Sequence, residues 1–400
     1  MLTGLVSVKV VAAIIGPAGV ALVGQLQNFS TIAMQLASGG INNGITKYVA
    51  EYHDNEEKTR SYIGTALRIT IVCSISVGLL MILLHRKLSE WIMLSPEYGY
   101  VFVIFGFTVL LYALNSMLIS VVNGFKEFGR YVRINIANSL IGLVFTVMFA
   151  WTMGLRGALI SAVTYQSIMF FVTLWMIRRL PWVERRIIRE KFDRLVAKNY
   201  FKFSLMALTS AAVVPVSQML LRGYVITQIS PMEAGWWEGM NRISNMYLMV
   251  ITSSFGVYYL PRLSELSDTK ELRMEIFKAY KVLVPMMLGG FVLIYLLRFI
   301  VIRILFTPEF MPMSKLFGWQ LAGDFFKISS WLLAYLMVAK SMTRKFIATE
   351  IIFSLLYVVL GLMFVRHNNS VVGLNQAYLI NYILYMLGMI IFFRKLIAGS

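Results

Sequence analysis

Long apolar runs separated by short charged or turn-rich breaks fill the chain, near 2–15, 20–44, 62–84, 98–122, 131–153, 154–176, 203–226, 235–260, 282–306, 316–339, 346–365 and 374–393. A helix needs about 20 apolar residues to cross roughly 30 Å of hydrocarbon. The pattern therefore predicts an all-α polytopic membrane protein, with twelve transmembrane helices in two six-helix lobes around a central cavity. The first run, Leu2 to Ile15, is short for a bilayer, so the chain start is expected to lack part of helix one. Lys9 in the middle of that run spoils a signal-peptide reading, which requires positive charge before the apolar core.

The longest break separates an N-terminal lobe (1–176) from a C-terminal lobe (203–400) by a basic cytoplasmic linker (177–202). The linker carries Arg178, Arg179, Arg185, Arg186, Arg189, Lys191, Arg194, Lys198 and Lys202, interleaved with Trp182, Ile187, Ile188, Leu195 and Val196. Such a segment either lies as an amphipathic helix on an anionic leaflet or is a solvated connector. An ungapped offset of 216 positions pairs Ala18 and Gly19 with Ala234 and Gly235, Ser38 with Ser254 and Gly40 with Gly256, a faint repeat between the halves.

Polar residues inside the runs recur at helical spacing. The second run carries Gln25, Asn28, Thr31, Gln35, Ser38 and Asn42 on one face; the eighth carries Glu238, Asn241, Arg242, Asn245 and Thr252; the tenth carries Gln320, Asp324, Lys327 and Trp331. Side chains of this kind in hydrocarbon must face another helix or a wet cavity. Interhelical hydrogen bonds account for isolated Ser, Thr or Asn, whereas long stripes that include charges favour a water-filled lumen. Asp324 with Lys327, and Glu238 with Arg242, are spaced to pair on one helix face. Arg298 and Arg303 near the end of the ninth run read as snorkelling cations. Tyr378, Tyr382 and Tyr385 align with Asn375 on the twelfth run; such mixtures of rings and amides suit packing, the interfacial belt or a sugar surface.

Composition sharpens this picture. Hydrophobic residues make up 58% of the 400 positions and charged residues only 14%, which excludes an ordinary soluble protein. The 37 Lys and Arg against 19 Asp and Glu do not imply nucleic acid here, because they sort by loop. Twenty-five fall on one side of the twelve-span topology and seven on the other, which places both termini in the cytoplasm. One cysteine, Cys73, and three scattered histidines leave little basis for a metal site, and no cofactor motif or phosphate-binding loop is present. The loops are too short for a catalytic domain, so the chain reads as a transporter rather than an enzyme; an integral-membrane glycan polymerase or ligase is the rival class.

Several segments resemble the Wzx-type flippases for lipid-linked oligosaccharides, also called O-antigen or enterobacterial common antigen translocases, of the multidrug/oligosaccharidyl-lipid/polysaccharide exporter (MOP) superfamily. They are GPAG at 16–19, NNGITKYVAEYHDN at 42–55, KFSLMAL at 202–208, ITSSFGVYYLPRLSEL at 251–266 and FGWQLAGDFFK at 317–327. The shortened first helix, Arg68 and Arg242 depart from the pattern. The resemblance implies alternating access, a cationic cavity and export of an undecaprenyl-diphosphate-linked oligosaccharide across the bacterial inner membrane. It also implies, as partners, the lipid bilayer and a glycan polymerase and chain-length regulator of the same pathway. On this reading Lys327, Arg242 and Lys47 supply cations for the diphosphate; Gln25, Asn28, Gln35, Asn241 and Asn245 line the glycan path; Asp324 and Glu238 couple transport to an ion. A multidrug exporter of the same superfamily is the alternative, disfavoured by an excess of cations over carboxylates within the runs.

Overall fold

The computed structural model describes residues 2–180, 182, 190–266, 268–340 and 342–394. Every regular element among them is helical. The principal helices are α1 (Leu2–Ala37), α2 (Asn42–Glu51), α3 (Glu56–Leu83), α4 (Gly99–Gly124), α5 (Phe128–Ile177), α6 (Arg194–Gln228), α7 (Pro231–Ser254), α8 (Thr269–Leu296), α9 (Phe317–Ala339), α10 (Thr343–Asn368) and α11 (Val372–Phe392). Among the described residues, seven helical stretches are long and apolar enough to cross a membrane. Two of these are interrupted. As one rod α5 would extend about 75 Å, far beyond a bilayer; Gly154, at φ 58° and ψ −135°, breaks it where the sequence divides two runs. Gly16, at φ 64° and followed by Pro17, breaks α1 in the same way. Both conformations lie in the positive-φ region that a Cβ disfavours.

Helix starts follow local chemistry. Asn55 caps α3 by accepting from Lys58 N, and Glu56 and Glu57 complement the positive end of that helix. Ser230 accepts from Met232 N at 3.1 Å, with Pro231 at the first helical position of α7.

The chain divides into two compact units, residues 2–15 with 22–219, and residues 16–21 with 220 onward. In the first, the second half of α1 buries Leu26 and Ala33 with Phe102, Phe105 and Val109 of α4 and Leu159 and Val163 of α5. Phe29 sets its ring edge-on to Phe102 at 5.2 Å. Helices α3 and α4 approach closely at Gly78 and Gly106, where a Cβ on Gly78 would lie 2.5 Å from the Gly106 carbonyl oxygen. A second cluster gathers Tyr48, Tyr62 and Tyr200 from α2, α3 and α6, with Asn199 Nδ2 donating to the Tyr62 hydroxyl at 3.0 Å. A hydrogen bond to Glu51 raises the nearby Tyr52 phenol to about 12.

The linker is only partly described. Residues 181 and 183–189 lie outside the described residues, so the expected amphipathic surface built on Arg185, Arg186, Ile187, Ile188 and Arg189 is untouched by the structure. Trp182 stacks on Phe125 at 4.9 Å. Arg68, exposed on α3, donates through Nε, at 2.9 Å, and through Nη2 to the Glu190 carbonyl.

In the second unit, α9 and α10 both pack on α11, burying Leu321, Ile328 and Leu332 with Leu374 and Ala377. The turn at Pro17 lies on the start of α7, where a Cβ on Gly235 would come 2.0 Å from the Pro17 carbonyl oxygen. The Gly235 member of the faint repeat is thus accounted for by this backbone approach.

Candidate functional site

Three helices of the second unit bring polar residues together around Asp324. This carboxylate, fully buried on α9, accepts from Ser244 Oγ at 2.7 Å and from the Tyr247 hydroxyl, both on α7, and from the Tyr378 hydroxyl of α11 at 2.7 Å. Gln320, one turn earlier on α9, adds a donor at 3.3 Å, and its own oxygen accepts from Asn375 Nδ2 at 2.7 Å. Gly323 makes the arrangement possible: a Cβ there would lie 2.4 Å from the Tyr378 ring, which crosses α9 at that point. These donors are all neutral, a dense set that suits a carboxylate excluded from water.

Lys327 does not pair with Asp324 as the i,i+3 spacing predicts. Among the described residues no carboxylate lies within 4 Å of its ammonium. Instead, Nζ lies 5.0 Å from the centre of the Trp331 ring, 5.3 Å from Tyr382 and 5.5 Å from Tyr378. The physical reason is competition: four neutral donors already fill the Asp324 oxygens, and three π faces offer the cation an alternative. Tyr378 joins the two groups, donating its hydroxyl to Asp324 while presenting its ring to Lys327. Nearby buried polar atoms lack protein partners among the described residues, namely Asn375 Oδ1 and Asn381 Oδ1 and the Tyr385 hydroxyl. Such orphaned atoms call for water or ligand.

A second charged group lies on α6 and α7. Glu238 accepts from Arg242 Nε at 3.0 Å, as the spacing predicts, and from Arg222 Nη2 at 2.5 Å. Arg222, one of the seven cations counted on the sparser side, is only 1% exposed, its guanidinium 5.4 Å from the Trp237 ring. Glu238 is also buried rather than wet, which makes the group a two-arginine clamp on one carboxylate. Asn241 is half-buried with Nδ2 unsatisfied, and Asn245 is exposed.

The α1 stripe is used mainly for packing within the first unit. Gln25 is buried and donates to the Met219 carbonyl at 3.1 Å, while Asn28 donates to the Gln218 side chain at 3.1 Å. Asn42 donates to Ser116 Oγ at 2.9 Å, and Thr31 and Ser38 bond to carbonyls of their own helix. Gln35 is half-buried. Lys47 is exposed on α2, its ammonium 4.9 Å from the Tyr48 ring.

Sequence reasoning thus found Asp324, Lys327, Gln320 and Asn375 but missed Ser244, Tyr247 and Arg222. A signal for the first two was present: Ser244 and Tyr247 are three apart, as are Asn375 and Tyr378, so both helices offer paired hydroxyl and amide donors.

This fold has relatives. The superposition on an inward-facing MATE-family multidrug resistance transporter of the MOP superfamily gives a TM-score of 0.83 at 15% identity, covering 100% of this chain and 94% of that one. A MOP-superfamily transporter from Pyrococcus furiosus, described as having a binding pocket of reverse polarity, matches with a TM-score of 0.67 at 13% identity, over 100% and 92% of the two chains. At these identities the likeness shows the fold, that of a polytopic all-α membrane protein. In sequence, the Lipid III flippases of Escherichia coli K12 and Shigella flexneri are each 30% identical over 383 residues, 96% of this chain and 92% of theirs. Residues 1–267 match the family model described as "Polysaccharide biosynthesis protein". With two thirds of its length under that model and flippase relatives along almost all of it, the chain belongs to the polysaccharide biosynthesis protein family.

Proposed function

We propose that this protein is a flippase that moves an undecaprenyl-diphosphate-linked oligosaccharide from the cytoplasmic to the periplasmic leaflet of the bacterial inner membrane. It does so by alternating access between lobes 1–176 and 203–400 of six spans each, with both termini cytoplasmic. The relatives are transporters, which supports transport rather than catalysis. The observation that carries the reading is Lys327, an ammonium in a half-buried aromatic setting beside buried amides and hydroxyls. A diphosphate needs a cation, sugar C–H faces need rings, and sugar hydroxyls need groups that both donate and accept. Lys327 is the principal diphosphate contact, with Arg242 and Lys47 assisting, and Asn241 and Asn245 on the glycan path. Gln25, Asn28 and Gln35 belong to that path as well, although the bonds of Gln25 and Asn28 give both amides a packing role.

An inside-negative potential drives two negative headgroup charges outward with roughly 4.6 kcal/mol per 100 mV, from about 2.3 per charge. Ion coupling is a further element of the proposal, and Asp324 is its better site. Its neutral donors can answer a change in carboxylate charge, whereas Glu238 is held by two guanidiniums. Asp324→Asn, an isosteric change that leaves the donors in place, is expected to abolish any dependence of transport on an imposed proton or sodium gradient. Retained dependence in proteoliposomes would remove Asp324 from that role.

The cargo is tested by depleting the protein in its host and following surface glycan, lipid-linked oligosaccharide and drug tolerance in parallel. Loss of surface glycan with accumulation of the lipid-linked precursor on the inner leaflet is expected. Altered drug tolerance with normal glycan would favour the multidrug reading.

A further inference from the structure

Away from Asp324 and Lys327, at the end of the second unit where α8 gives way to the short helix Arg298–Leu305, lies a pocket of about 480 Å³. Its walls include Tyr295, Arg298, Ser314, Lys315, Trp319 and Leu379. None of these residues belongs to the transport site proposed above. We propose that this pocket binds the phosphodiester headgroup of an anionic phospholipid.

Three observations carry the assignment. First, the pocket has an unopposed positive charge: among the described residues neither Arg298 nor Lys315 has a carboxylate within 4 Å. Second, Arg298 is not the extended, snorkelling cation its position predicts. Its guanidinium lies 4.1 Å from the Tyr295 ring centre and 4.5 Å from that of Phe299, and Nη1 donates to the Tyr295 carbonyl at 2.7 Å. It is half-buried, whereas Arg303 on the same short helix is exposed, so the fold fixes one arginine at the pocket wall and leaves the other at the surface. A planar guanidinium held in place presents its remaining donors at low entropic cost. Third, the helices that carry Tyr295 and Arg298 also expose large hydrophobics, Leu293, Leu296, Phe299 and Ile300, and the Phe299 ring packs on the Arg298 guanidinium. Two cations, a serine hydroxyl and interfacial Trp and Tyr beside an apolar surface match a lipid phosphate with its acyl chains alongside. A soluble anion would leave those exposed apolar side chains unused. By the loop-charge asymmetry the pocket faces the outer leaflet.

Native mass spectrometry of the full-length protein in mild detergent, titrated with palmitoyl-oleoyl phosphatidylglycerol or phosphatidylcholine, tests the proposal. Preferential retention of phosphatidylglycerol is expected, falling about fivefold in Lys315→Gln and about 25-fold in Arg298→Gln with Lys315→Gln, from a typical contribution per cation near a lipid surface. Arg303→Gln, which removes the same charge from the exposed position, is expected to leave retention unchanged. Lys315 is exposed, so its variant stays informative if replacing Arg298 disturbs packing. Equal retention of the two lipids by the wild type, wild-type retention in Lys315→Gln, or an equal loss in Arg303→Gln would overturn the site. Retention of undecaprenyl phosphate in preference to phosphatidylglycerol would assign the pocket to the polyprenyl carrier and overturn the phospholipid as occupant.

Discussion

Lys327→Ala is expected to slow outward translocation by roughly 10- to 150-fold, the equivalent of losing one hydrogen bond to a charged group at about 1.5–3 kcal/mol. The magnitude follows from the setting. The ammonium has three rings around it and no carboxylate within 4 Å among the described residues, so an arriving diphosphate would not first have to break an ion pair. Truncation to alanine removes the charge but leaves Asp324 with its four donor residues, so the fold should survive. Lys327→Arg keeps the charge and should restore much of the rate; Lys327→Met keeps the stem and should not. The measurement is the initial rate at which lipid-linked oligosaccharide appears on the far side of proteoliposomes containing equal amounts of folded protein. A wild-type rate in the alanine and methionine variants would sink the assignment of Lys327 to the diphosphate.

Glu238→Gln should act on stability more than on transport, lowering it by about 3–5 kcal/mol, the usual consequence of breaking a buried ion pair by removing one partner. Arg222 is the reason: with 1% of its surface exposed it cannot turn to water when its carboxylate is neutralised. Arg242, whose Nε also bonds to that carboxylate, loses a partner in the same step. Thermal unfolding in detergent should show the loss. Pairing Glu238→Gln with Arg222→Met should recover a large part of it, because the double variant removes both charges of the buried pair. Unchanged unfolding in the single variant would mean that the clamp contributes little, and Glu238 would regain its candidacy for ion coupling.

The contrast between these two groups shows where the sequence was readable. Run lengths located most helices to within a few residues, but the helices Arg194–Gln228 and Thr269–Leu296 begin nine and thirteen residues before their runs, because their charged first turns carry no apolar signal; the breaks at Gly16 and Gly154 fell where separate runs were read. Helical spacing correctly paired Glu238 with Arg242, since both lie on one helix. It could not pair Arg222 with Glu238, sixteen residues away across a turn, because Arg222 stands near the end of its run, where a cation counts with the loop. Spacing also overstated the bond between Asp324 and Lys327. Adjacency on one helix makes such a bond geometrically possible, but Ser244, Tyr247 and Tyr378, contributed by two other helices, decide what each group touches. The α1 stripe shows the same limit: a polar face marks where a helix meets something hydrophilic, and for Gln25, Asn28 and Asn42 that something is another helix.

The contact between Gly78 and Gly106 bears on how such a chain can drift through evolution. Both backbones occupy the space in which any side chain would begin, so even alanine would have to part α3 from α4. Val72, Leu79 and Leu83 on the same α3 are exposed and can exchange among apolar types with little consequence. In descendants of a common ancestor, therefore, a position that performs no chemistry should prove among the slowest to change, while its bulky neighbours turn over freely.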